Sequence, residues 1–239
     1  VFFMSGNPYP AFSEDNAAYD LDHTIIPIIN LLNAMVKTNF KGSFWYASSV
    51  AVYGRTHLQF QGENDACEPL SSYATAKLTC EYYLKFFSNK YGLSCGSFRI
   101  FSTFGEGLER QIVFDLWKKA VSNTPYLELI GTGDEKRDLC YISDQIQRME
   151  ILADALKPRG DVFNIGSGNS LSTLEVARLI LNTLGIDKEI ILNNHSRSFD
   201  GYQWTACTKK LNDFAANQST PMEVAFKRTL DSFRTKEVR

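Results

Sequence analysis

The sequence predicts an α/β architecture with a largely parallel sheet. Two observations carry that expectation. Short apolar runs of strand length alternate with stretches of helical periodicity along the chain, and punctuating residues such as Gly92 and the Ser172–Glu175 pair fall where helices should stop and start. At 239 residues the chain is long enough to bury a large core, in one big domain or two modest ones.

Val1-Phe2-Phe3-Met4 reads as a buried strand because four apolar residues follow one another without alternation. Ser5 to Tyr19 reads as a loop and Thr24 to Lys37 as a helix, with Ile25, Ile28, Ile29 and Leu32 at helical spacing. Ser43 to Ser48 resumes a strand. A polar loop, Gly54 to Leu70, leads to a helix from about Ser71 to Tyr91 that places Ala74, Leu78, Tyr82 and Phe86 on one face before Gly92 ends it. Cys95 to Phe101 is the next strand, and the turn Gly105-Glu106-Gly107 before a helix around Ile112 to Val121 reads as a domain junction.

Strands at Tyr126 to Ile130 and near Leu139 to Ile142 flank the turn Gly131-Thr132-Gly133-Asp134, and a helix follows from Asp144 to Leu156. Val162 to Ile165 restores the buried-strand pattern. Gly166-Ser167-Gly168 reads as a turn rather than a phosphate loop, since it lacks a third glycine and no helix follows immediately. Ser172 and Glu175 form a capping box for a helix ending near Leu184, and two more helical stretches lie near Leu211 and from Met222 to Phe233.

Net charge is −2 and the pI is near 6.0, with Lys and Arg scattered, which speaks against nucleic acid as a partner. Five cysteines without CxxC spacing fit reduced packing thiols in a cytoplasmic protein. The most apolar stretch, Ile25 to Leu32, is too short to cross a bilayer and contains Pro27, so no membrane association is expected. His23, His57 and His195 lie far apart without metal-ligand spacing, and no metal site is expected.

Tyr73 and Lys77 stand four apart on the predicted helix, so both project from one face. A free phenol has a pKa of about 10, and a nearby ammonium favours its phenolate, so Lys77 is expected to tune Tyr73 for proton exchange. The spacing alone is weak, because a chain of this composition holds roughly 0.6 such pairs by chance, most of them solvated helix faces. Ser49 raises the odds: it sits where a strand runs out, and functional groups of parallel α/β sheets gather at the carboxyl ends of strands.

The stretch Ala47-Ser48-Ser49-Val50-Ala51-Val52-Tyr53-Gly54, followed by Ser72-Tyr73-Ala74-Thr75-Ala76-Lys77, resembles the extended short-chain dehydrogenase/reductase family of nucleotide-sugar epimerases and dehydratases. Phe98-Arg99 through Phe104-Gly105, Gly131-Thr132-Gly133 with Arg137-Asp138 and Asp144, and Asn164-Ile165-Gly166-Ser167-Gly168 resemble later blocks of that family in the same order. The resemblance implies a Rossmann-like doubly wound parallel sheet, in residues 1–105 and 138–168, with a smaller α+β substrate domain in 106–137 and 169–239. It also implies that two amino-terminal βα units, about 60 residues, are missing together with the glycine-rich pyrophosphate turn, because the chain opens without Met directly in a strand.

By that resemblance Ser49 would bond the reacting sugar oxygen, Tyr73 would be the general acid/base, and Lys77 would hold the nicotinamide ribose. Ser5, Gly6, Ala47, Ser48 and Phe101 would complete a site for NAD, with NADP possible. Ser102, Arg137 and Arg197 would contact a nucleotide-diphosphate sugar, a planar guanidinium being suited to two phosphate oxygens at once. For Arg197 a surface ion pair is an alternative of nearly equal weight. Ser102, Phe104 and Thr24 depart from the family's usual Asn, Tyr and Asn. Val50 and Ala51 occupy positions where the dehydratases carry an Asp-Glu pair and the decarboxylases a Glu, and apolar side chains cannot shuttle protons. Epimerase or ketoreductase chemistry is left, and by the resemblance an epimerase acting at C4 is expected, against the alternatives of a 4-ketoreductase using NADPH or a noncatalytic sugar-nucleotide-binding protein. The helices at 24–37 and 71–91 are the expected homodimer contact.

Overall fold

The computed structural model describes residues 1–7, 10–56, 58–193, 203–215 and 219–237. A four-stranded parallel sheet runs in the order β1 (Phe2–Phe3), β2 (Phe44–Ser49), β3 (Cys95–Ile100), β7 (Arg159–Ile165). Alternation along β2 explains why helices cover both faces. Phe44 and Tyr46 point to one side, where they pack with Ile28 and Leu32 of α2 (Ile26–Lys37) and Leu84 of α3 (Ser72–Tyr91). Trp45 points to the other, stacked on Phe98 at 4.4 Å and joined by Phe163 and by Met149 and Leu152 of α5 (Ile142–Ala155). This is the expected Rossmann-like doubly wound layer.

β1 is shorter than the predicted Val1 to Met4 strand. Among the described residues it pairs only with β2, and Val1, Phe2 and Met4 are exposed. The helix predicted from Thr24 begins earlier, as α1 (Ala18–Asp20) continued by a π-helical turn over Leu21–Ile25. Pro27, in the first turn of α2, has no N–H to give and its ring crowds the carbonyl a turn behind. The wider turn before it, closed from Ile26 N–H to the Leu21 carbonyl, accommodates both. The α3 face also differs from expectation: Ala74 and Leu78 are buried, but Tyr82 is 64% and Phe86 47% exposed. The inward stripe instead carries Lys77, Glu81, Leu84 and Ser88.

Two residues beyond β3 the backbone leaves this sheet. β4 (Ser102–Phe104) pairs with β6 (Lys136–Tyr141) in a second sheet, which β8 (Ser170–Ser172) joins antiparallel and β10 (Gln203–Trp204) parallel. β5 (Tyr126–Leu129) pairs with β9 (Glu189–Leu192). A separate core, with Phe104, Trp117, Leu127, Ile180 and Phe226, is covered by α4 (Gln111–Val121), α6 (Thr173–Leu184) and α8 (Met222–Glu237). The capping box at Ser172 and Glu175 forms as predicted, and Gly185 closes α6 in the left-handed conformation. The helix near Leu211 is the single turn α7 (Lys209–Asn212).

Candidate active site

β2 and α3 build the site between them. Ser49 ends β2, and its hydroxyl accepts the Ala51 N–H at 3.2 Å, turning the chain into a tight helical turn over Val50–Tyr53. The Ser71 hydroxyl caps α3 by accepting Ala74 N–H at 3.1 Å, which fixes Tyr73 in the first turn and Lys77 one turn later. Lys77 is buried and donates from Nζ to the Ala47 carbonyl at 2.8 Å. Its ammonium lies 5.6 Å from the centre of the Tyr73 ring and 4.8 Å from that of Tyr46. Ser49, Tyr73 and Lys77 all border one cavity of about 850 Å³ at the carboxyl ends of the strands.

Burial dominates the electrostatics. It lowers the Lys77 pKa to about 8, with Cys80 and Asp20 opposing the fall. It also pushes the Tyr73 phenol above its ordinary value, against a hydrogen-bonding interaction with Ser49 and the nearby Arg110 guanidinium. The expected lowering of the Tyr73 pKa by Lys77 is thus not realised, because the ammonium lies over the ring and burial outweighs the groups at the hydroxyl.

Gly6, Ala47 and Phe101 line the cavity, and so do Ser102 and Arg137, whose guanidinium lies 5.5 Å from the Trp204 ring. Gly6 adopts φ +144°, a conformation suited to glycine, and a Cβ there would stand 3.5 Å from Lys77 Nζ. Ser48 borders the cavity, and its hydroxyl proton is given to Glu81, itself paired with Arg99 at 2.8 Å, which leaves its oxygen as an acceptor. Ser5 is exposed and outside the lining; Met4, Gly6 and Asn7 supply this wall instead. Arg197, like His57 and His195, lies outside the described residues.

Several lining residues escape sequence reasoning. Arg110 and Gln111 start α4 at the cavity, and Gln111 is held at φ +69°, a strained conformation for a side chain of its kind. Asn7, Gln145 and Glu135 also reach the wall. No spacing ties any of these to Tyr73, since long-range packing alone brings them there. Among the described residues no group of His, Cys, Asp and Glu could hold a metal ion.

A family model described as the NAD dependent epimerase/dehydratase family matches residues 1–166. The chain is 28% identical over 183 residues to a provisional UDP-glucose 4-epimerase of Methanocaldococcus jannaschii, an alignment covering 75% of this chain and 59% of that protein. It is 27% identical over 183 residues to a dTDP-4-dehydro-6-deoxyglucose reductase of Escherichia coli, covering 75% and 57%. The chain thus spans somewhat more than half the length of these curated relatives. A UDP-glucose 4-epimerase of Thermotoga maritima, solved with UDP-glucose, superimposes with a TM-score of 0.88 at 24% identity over 99% of this chain and 77% of its own, a likeness of fold.

Proposed function

The chain belongs to the NAD-dependent epimerase/dehydratase family, and from that premise we propose that it is the catalytic and substrate-binding part of a nucleotide-sugar epimerase acting at C4. The observation that carries the proposal is the convergence of Ser49, Tyr73 and Lys77 on one large cavity beside Gly6 and Phe101. We assign residues 1–105 and 138–168 to the cofactor side and 106–137 and 169–239 to the substrate side.

The cavity wall fits the nicotinamide end of NAD, or of NADP: Lys77 keeps donors beyond the one given to Ala47, and Gly6 leaves room beside it. When bound there, the cofactor would supply reversible hydride exchange with the sugar carbon. This chain's own part is proton handling and orientation. Ser49 holds the reacting sugar oxygen, and Tyr73, acting as its phenolate, takes the hydroxyl proton as the 4-keto sugar forms and gives it back on reduction. Arg137, which lines the same cavity, bonds the diphosphate of the nucleotide sugar in this reading. One-way reduction of a keto-sugar is the second reading, favoured by the similarity to the Escherichia coli reductase.

Exposed Tyr82 and Phe86 on α3, with Leu21 and Ile26 beside α2, support a second copy of the chain as partner on this face. No helix among the described residues is long and apolar enough to cross a membrane, and all five cysteines are free, which supports a cytoplasmic location.

The test is Tyr73→Phe, assayed with NAD and a panel of UDP-, GDP- and dTDP-sugars. The ring still packs, so folding is retained, while turnover falls by about 10²- to 10⁴-fold. Near-normal turnover in the variant would refute the assignment.

A further inference from the structure

Asp20 lies in α1, directly before the π-helical turn that packs against α3, and it is only 1% exposed. Its Oδ1 accepts from Asn7 Nδ2 at 2.9 Å, whereas its Oδ2 is buried with no hydrogen-bond partner among the described residues. A half-bonded carboxylate in such a place costs free energy unless it meets a compensating charge. The surroundings point to which one. Asn7 N–H donates to Thr24 Oγ1 at 3.1 Å, and a Cβ at Gly6 would stand 3.4 Å from that oxygen and 3.5 Å from Lys77 Nζ. Asp20, one helical turn before Thr24 and bonded to Asn7, is thus tied to the same Gly6–Asn7 segment that passes the lysine ammonium.

The other groups around Lys77 cannot supply the negative charge. Cys80, on the same helix, also raises the Lys77 pKa, but burial lifts its own thiol to about 11, so it is uncharged at neutral pH and acts on Lys77 only in more alkaline solution. Tyr46, on β2, is raised well above the ordinary phenol value by burial, and Tyr73 is raised as well. Glu81 is spent on Arg99, and Arg110, at the start of α4, is cationic and acts on Tyr73. We propose that Asp20 is a positioning residue of this site, a buried counter-charge that keeps Lys77 an ammonium and held on the Ala47 carbonyl. The inference rests on the functional reading above for its purpose but not for its test. Asp20 also acts on Tyr73, where its charge opposes formation of the phenolate. Its loss should therefore move both groups in the same direction, toward acid.

The test is Asp20→Asn in the full chain, which preserves the acceptor for Asn7. Lysine ε-carbon NMR, with Lys77 assigned through Lys77→Arg, should show the Lys77 midpoint about one pH unit more acid in the variant. In the unsubstituted chain the Asp20 carboxyl carbon should report the Lys77 midpoint as an inflection in its chemical shift, a measurement that needs no variant to fold. With a turned-over nucleotide sugar, both limbs of the pH–rate profile should move to acid, whereas a purely structural role would lower its height without displacing it. An unmoved Lys77 midpoint, or no inflection at Asp20, overturns the proposal. A shifted midpoint in a chain that turns over no nucleotide sugar would sustain it and count against the epimerase reading alone.

Discussion

Two buried carboxylates, Asp138 on β6 and Asp20 on α1, differ in how they are answered. Asp138, on β6, receives four donors: Ser167 N–H and its hydroxyl at 2.6 Å each, Gly168 N–H at 2.9 Å and Ala206 N–H at 3.0 Å. The Gly166-Ser167-Gly168 turn is indeed an anion receptor, but the anion is the chain's own, and it ties β7 to β6. Among the described residues Asp20 receives one donor and leaves its other oxygen without any. A carboxylate saturated by backbone amides has no capacity left and can only hold the structure together. One left half-bonded beside an ammonium keeps its field for another group.

The comparison can be broken most directly at Asp138. Asp138→Ala would orphan four donors at once and should destabilise the chain by about 3–5 kcal/mol, read by urea unfolding. A loss under about 1 kcal/mol would mean that the turn repacks and the receptor is incidental. Glu135 sharpens the same point on a smaller scale. It accepts Thr132 N–H at 2.9 Å and Gly133 N–H at 3.0 Å, and although burial pushes its pKa up, these amides outweigh burial and hold it below the ordinary value. A depressed pKa gives stability that is present above the unfolded-state value, about 4.3 for Glu, and lost as pH falls through the folded value. Glu135→Gln should cost about 1–2 kcal/mol at neutral pH and flatten that acid-side decline in melting temperature. Asp20→Asn should change stability least, by about 1 kcal/mol or less in the same unfolding assay, because its one hydrogen bond survives. A loss as large as that at Asp138 would erase the distinction.

The same contrast governs what the sequence makes legible. Ser49, Tyr73 and Lys77 are found because a strand end, a cap and a four-residue spacing are local patterns, and local patterns fixed their geometry. Tyr82 and Phe86 mislead because apolarity alone does not say which way a helix faces: α3 turns Lys77 and Glu81 inward, each met by a buried partner, and leaves two aromatics outside. β8, β9 and β10 are two to four residues long and only partly buried, too short for any period to register. Asp20 and Arg110 gain their meaning from neighbours more than 30 residues away, Lys77 for the one and Tyr73 for the other. Ser48 looks as available as Ser49 on paper, and only the Glu81–Arg99 pair beneath it shows that its hydroxyl proton is taken.

The passage from β3 to β4 takes a single intervening residue, Phe101, whose N–H is itself anchored to the Ile165 carbonyl at 3.0 Å. Phe101 and Ser102 also line the cavity. The seam between the two sheets therefore runs through the floor of the pocket, with no slack to absorb movement elsewhere. Any tilt of one layer against the other is delivered straight to the surface on which a sugar ring would rest, so that architecture and chemistry share the same two residues.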